Sequence, residues 1–355
     1  MIDESSLLVA VWMVGAGLLA ALLVLVIAHA YGLALERRRL RLEAEVRPIL
    51  ARFAADEEVD GSSLDALLTT TGVRGRHDAF EVLAGRTLVK LKGESRERLA
   101  AWLRERGALD VARARLRSRG RVRRGRAAEV LGVLGSQEDV PALIRVLDDR
   151  DSDVRAAAAR ALGALGAAPA TRDLLGHLGG SRPISRITIG WSLLQMPDSV
   201  VELLLEGIDS PRGVERALAA DVLGLRGAVV AAEPLVAQLA DDADAEARFA
   251  AARALGRIGT ASAVRALEGG LADPLPNLAI ACARLLADIG DPSAVPALRV
   301  AMGSPDVRLI IQSSRSLVRL GDLGRTALEA VAIGPDTAAS YAAGDLAMLD
   351  LQSRG

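Results

Sequence analysis

Few side chains in this sequence have the types and spacing that chemistry requires. Cys282 is the single cysteine, so no disulfide can form within the chain. His29, His77 and His177 are scattered, with no C-x-x-C or H-x-x-x-H pair to hold a metal. Cys282 sits in LAIACARLL, where a small core residue is the ordinary reading. Carboxylates gather in DDRDSD and DDADAE, between periodic segments where they would cap helices. These clusters lack the glycine and terminal glutamate of a calcium loop. Neither a phosphate loop nor a G-x-S-x-G nucleophile elbow occurs. The sequence therefore predicts no catalytic residue, no cofactor and no metal site.

Arginine is what the sequence offers instead. The run ARARLRSRGRVRRGR contains Arg113, Arg115, Arg117, Arg119, Arg121, Arg123, Arg124 and Arg126 with no acid among them. Three readings compete: a solvated surface facing a membrane, a docking site for an acidic protein, or a site for nucleic acid or a phosphorylated ligand. Nucleic acid is disfavoured because no aromatic platforms are interleaved with the arginines. Residues 36–126 carry 23 basic and 14 acidic side chains, whereas residues 127–355 carry 21 and 29, so the overall net charge of −1 hides a dipolar chain.

Residues 7–35 read LLVAVWMVGAGLLAALLVLVIAHAYGLAL, uncharged throughout, where a bilayer core needs about 20 such residues. This predicts one spanning helix, and the acidic MIDESS before it argues against a cleaved signal. Asp3 and Glu4 on one side and Arg37, Arg38, Arg39 and Arg41 on the other predict a single-pass inner-membrane protein. By the positive-inside rule its N-terminus lies outside and the rest in the cytoplasm. Those four arginines and the run up to Arg123 would face anionic lipid, at about 1 kcal/mol for each cation near the surface. Gly17 and Ala21, four apart, would let a second membrane helix approach closely.

The elements that must position all of this come from a repeat. Leu131, Leu162, Leu193, Leu223, Leu255, Leu286 and Leu317 recur every 30 to 32 residues. A second column holds Leu143, Leu174, Leu204, Leu235, Leu267, Leu298 and Leu328, and a third, four residues on, holds Leu147, Leu178, Ile208, Leu239, Leu271, Met302 and Ala332. Spacing by four puts both on one helix face. Each unit is thus a first helix, such as 153–165, a glycine turn and a second helix, such as 171–178. Asp or Ser starts many first helices, and Gly135, Gly166, Gly227, Gly259, Gly290 and Gly321 stop them. Such a pair cannot cover its own apolar faces and must stack on its neighbours. The third unit departs, with Trp191 in a usual arginine position and Met196-Pro197 replacing the closing glycine.

DRDSDVRAAAARALGALG, DADAEARFAAARALGRIG, VPALIRVLDD and SAVPALRVAMGS resemble HEAT repeats, of the short bacterial kind also found in phycobilin lyase (PBS-lyase-like) proteins. The resemblance covers 124–355 and implies an all-α solenoid of about seven units plus a capping helix near 337–351. Degenerate helix pairs are expected at 63–70, 77–89, 95–106 and 108–117. The expected domains are an anchor at 1–35, a basic juxtamembrane helical region at 36–123 and the solenoid at 124–355. Arg124, Arg155, Arg186, Arg216 and Arg248 stand seven before the column leucine. In HEAT-like folds such arginines pair with acids of an adjoining repeat, and Asp153, Asp244 and Glu246 are candidates here. Arg160, Arg253, Arg284 and Arg315 stand two before it and are candidates for partner binding.

The resemblance implies a scaffold or adaptor rather than an enzyme. The expected protein is a membrane-anchored scaffold that holds or regulates a partner protein, for example a membrane-associated enzyme such as a glycosyltransferase. The alternatives are a lyase-like enzyme with an unmarked groove site, or a nucleic-acid or phospholigand binder using the arginine-rich segment.

Overall fold

The computed structural model describes residues 93–335 and 337–352, together with the isolated positions Leu22, Leu25, Val26, His29, Ala44, Thr87, Leu88 and Leu91. Contacts divide the chain into a unit spanning 1–112 and a unit spanning 113–355. Among the described residues there is no strand. In the first unit, helix α1 (Glu94–Glu105) buries Leu99, Ala100, Trp102 and Leu103, and the Arg106 guanidinium stacks 4.0 Å over the Trp102 ring. Helix α2 (Ala108–Arg115) carries the chain across the division.

The second unit alternates long and short helices. The first helices of the repeats are α3 (Arg121–Leu134), α5 (Ser152–Ala164), α7 (Arg186–Gln195), α9 (Gly213–Leu225), α11 (Ala245–Ile258), α13 (Pro276–Ile289) and α15 (Val307–Arg319). The second helices are α4 (Val140–Val146), α6 (Thr171–Gly176), α8 (Val200–Ile208), α10 (Ala232–Asp241), α12 (Ala261–Gly270), α14 (Val295–Ala301) and α16 (Gly321–Ala332). Helix α17 (Thr337–Gln352) packs on α15 and α16. All seven leucines of the first column, and all seven of the second, are fully buried. Burying a leucine completely contributes about 1.5–3 kcal/mol, so these two columns account for much of the core.

Aspartate caps start several first helices. The Asp151 side chain accepts from the Asp153 and Val154 amides, Asp244 from Ala247, and Asp306 from Arg308. Gly166, Gly227, Gly259, Gly290 and Gly321 take positive φ just past the helices, as a glycine stop requires, whereas Gly135 ends α3 in an extended conformation.

A second set of glycines, one residue after the column leucine, has a different task. A Cβ on Gly132 would lie 2.6 Å from the Ala161 Cα, and one on Gly163 would lie 2.7 Å from the Ser192 Cα. One on Gly224 would lie 2.4 Å from the Ala254 Cα. Backbone-to-backbone approach of neighbouring first helices therefore depends on hydrogen at these positions. In the third unit this position is Leu194, and α7 is only 10 residues long against 13 for α5 and α9.

The localisation expected from the sequence is corrected. Among the described residues no helix is long and apolar enough to cross a membrane. The longest, α17, has 16 residues, short of the roughly 20 that a bilayer core needs, and the first helices divide their faces between core and solvent. Apart from the isolated positions already named, segment 7–35, including Gly17 and Ala21, lies outside the described residues, as do Arg37, Arg38, Arg39 and Arg41. The single-pass inner-membrane assignment is not retained.

Candidate functional site

The first helices leave one face open to solvent. It comprises the positions nine, six and two before the column leucine and two after it, which recur at about one helical turn, with Ile184 and Ala217 the buried exceptions. Between α3 and α5 this face forms a shallow groove of about 340 Å³, lined by Val122, Gly125 and Glu129 on one side and Asp153, Ala156 and Arg160 on the other, with Arg121 and Arg126 at its edge. The groove is electrically compensated. Arg121 pairs with Asp151 at 3.2 Å, and Arg160 reaches Glu129 at 3.6 Å.

Along the two-before register the repeats present, in order, Glu129, Arg160, Trp191, Asp221, Arg253, Arg284 and Arg315. Trp191 is 64% exposed and Ile187, one turn earlier on α7, is 72% exposed, while Ile189 and Leu193 on the opposite face of the same helix are fully buried. On α9, Val214 and Leu225 are exposed as well. Beyond them lies a four-member charge cluster. Arg186 bonds Asp221 at 2.7 Å and Glu246 at 2.9 Å, and Arg253 bonds both oxygens of Asp221 at 3.0 Å. Arg284 and Arg315 are exposed and meet no carboxylate among the described residues.

The seven-before arginines are structural. Arg124 grips Asp149 through two bonds of 2.6 and 2.7 Å, Arg216 grips Asp242 through two of 2.7 and 2.6 Å, and Arg248 bonds Asp273 at 2.9 Å. These acids close the second helix 25 or 26 residues downstream, a register the sequence reading did not pick. Of its three candidates, Glu246 meets Arg186, Asp244 caps α11, and Asp153 lines the α3–α5 groove. Where the acid is missing, at Gly180, Arg155 bonds the carbonyls of Asp149 and Pro183. Burial pushes the Asp149 carboxyl up, but hydrogen bonds from Arg124 and the Asp151 amide outweigh it and hold it below the usual carboxylate range. Hydrogen bonding from Arg216 likewise outweighs burial and holds Asp242 low.

The arginine-rich run is not one surface. Arg113 is tied to buried Asp139 at 2.7 Å, and Arg121 joins Asp151. Arg115 is half-exposed, and Arg117, Arg119 and Arg123 are exposed. Among the described residues no cluster of His, Cys, Asp and Glu could hold a metal ion. Cys282 is buried, and burial first, with the nearby Asp273 carboxylate second, pushes its thiol up to about 12. His177 bonds the Asp173 carbonyl at 2.7 Å and Asp148 at 3.1 Å, an arrangement that orients the ring without a nucleophile beside it.

Residues 109–193 and 201–276 match the family model of HEAT repeats, and residues 278–304 match that of the PBS lyase HEAT-like repeat. A HEAT repeat-containing taxis protein of Halobacterium salinarum is 38% identical over 137 residues, 38% of this chain and 31% of that one. The chain thus spans under a third of that relative. Among solved structures, the CpcE–CpcF complex of phycocyanin lyase from Nostoc sp. PCC7120 is 23% identical, covering 70% of this chain and 92% of that one with a TM-score of 0.27. Human deoxyhypusine hydroxylase is 21% identical, covering 79% and 97%, with a TM-score of 0.31.

Proposed function

We propose that this HEAT-repeat chain is a non-enzymatic protein-binding scaffold whose partner lies on the open face of the first helices. The observation that carries the reading is the exposed Ile187–Trp191 pair. Large aromatic side chains left in water on a regular helix face are the side chains that dominate protein interfaces. Their neighbours in the same register are arginines and acids able to form a polar rim. A catalytic reading would need a nucleophile or an acid–base pair converging on a pocket, whereas the titratable groups that do converge on this face, Arg186, Asp221, Glu246 and Arg253, are engaged with one another.

Site-specific photo-cross-linking in the source cell tests the proposal. Benzoylphenylalanine replacing Ile187 is expected to give a discrete adduct with another protein. The same probe replacing Val300, which is 73% exposed on the second helix α14, is expected to give none. Identical adduct patterns from both positions, or no protein adduct at 187, would overturn the assignment.

A further inference from the structure

The two arginine series of the first helices meet different fates, and the difference points to a ligand. Arg124, Arg216 and Arg248 are consumed by acids of the repeat turns at 2.6 to 2.9 Å. In the two-before series, Arg160 and Arg253 are partly compensated, whereas Arg284 and Arg315 stand exposed without a carboxylate, at the same register of adjacent repeats. Half-buried Ile280 and Ile311 lie one turn before them on the same face. Three repeats upstream, that register holds Trp191, with Ile187 one turn before it.

We infer that this face binds an extended acidic segment of a partner protein, with one apolar side chain packed on Ile187 and Trp191 and two carboxylates received by Arg284 and Arg315. The inference rests on the protein-binding reading and adds the partner's chemistry. Guanidinium forks match carboxylates in bidentate geometry. Packed helices lie roughly 8–10 Å apart, and an extended chain advances about 3.3 Å per residue. The two carboxylates therefore fall about three residues apart, and the apolar anchor about seven to nine residues from the nearer one. Single-stranded nucleic acid fits less well, since it requires a stacking ring for successive bases and Trp191 is alone in its register.

The full chain, immobilised, would select from a phage-displayed library of random 16-residue peptides. Enriched peptides, made with a fluorescein label, would be titrated by anisotropy. The expected consensus is an apolar residue separated by seven to nine positions from a pair of acids three apart. Trp191→Ala and the double change Arg284→Glu with Arg315→Glu should each weaken binding tenfold or more, and Arg299→Glu on α14 should leave it within twofold. Far-ultraviolet circular dichroism melts confirm that each variant is folded. Peptides that lack the acid pair, or that bind the variants unchanged, overturn this inference while leaving the protein-binding reading in place. Displacement by an oligonucleotide at equal charge overturns it in favour of a general polyanion site. No enriched peptide at all overturns this inference, and the adduct at position 187 then decides the protein-binding reading on its own.

Discussion

In three of the repeats, one arginine and one aspartate fasten a first helix to the turn that follows the next second helix. The Arg216–Asp242 pair is the best-formed case, with side chains 17% and 6% exposed. Replacing one partner strands the other, so Asp242→Asn should cost roughly 2 kcal/mol at pH 7 by urea denaturation. The sign of its pH dependence follows from the depressed carboxyl. A folded-state pKa below the ordinary 3.8 means that the pair's contribution is fully present above that value and is lost as pH falls through the folded pKa. The gap between wild type and Asp242→Asn should accordingly persist from neutral pH down to about 5 and narrow below about 4, and a gap that widens in acid would contradict the pairing. At Cys282 burial makes the opposite prediction. With the thiol pushed up to about 12, Ellman's reagent should not react in native buffer at pH 8 and should titrate one thiol per chain in guanidinium chloride.

At the scale of the helix, the stacking of neighbours is set by hydrogen atoms where a methyl would not fit. Gly224→Ala places a Cβ 2.4 Å from the Ala254 backbone. The gain in helix propensity of about 1 kcal/mol is outweighed by overpacking of about 1–3 kcal/mol or more, so the variant should unfold at lower urea. Gly344, inside α17, meets nothing within 4 Å, and Gly344→Ala should be neutral or stabilising by up to about 1 kcal/mol. The same contrast measures how much was legible in the sequence. The leucine columns and the glycine stops could be read directly, because a period of about 31 residues leaves its mark on one chain. The glycine one residue after the column leucine could not be assigned a packing role, because its partner lies one repeat away in space. The acid partners were legible only in part: Glu246 meets Arg186 as expected, whereas Arg124, Arg216 and Arg248 take the acids that close the second helix 25 or 26 residues downstream, which the sequence alone does not single out. The candidate site was half visible. Arg160, Arg253, Arg284 and Arg315 stand out by register, and Trp191 falls in the same arginine position of the third unit, but nothing in the sequence marks it and Ile187 as exposed. Nothing in the sequence showed that Arg253 would be engaged by Asp221 while Arg284 and Arg315 would stay open.

Over the whole of the second unit, stability is passed from neighbour to neighbour, since each helix pair packs chiefly on those before and after it. Such an array loses structure locally when one end is uncovered. Helix α17 supplies the cover for the last pair: Ala338, Ala339 and Ala342 are buried there, and Asp345 accepts a 2.5 Å hydrogen bond from Ser314 of α15. Removing residues 337–355 would expose the apolar faces of α15 and α16 and leave the buried Ser314 hydroxyl without that acceptor. Hydrogen exchange should then accelerate across α15 and α16, fall off through α13, and stay unchanged at α3 and α5, whose contacts are untouched. The pattern matters for binding, because Arg315 lies on the weakened helix while Ile187 and Trp191 lie four repeats away from it. A truncated chain should therefore lose the carboxylate end of the peptide site before the apolar end, reducing the salt dependence of peptide binding more than it reduces protection of α7. Uniform acceleration across the unit would instead show that the repeats unfold as one cooperative block, and the nearest-neighbour account would fail.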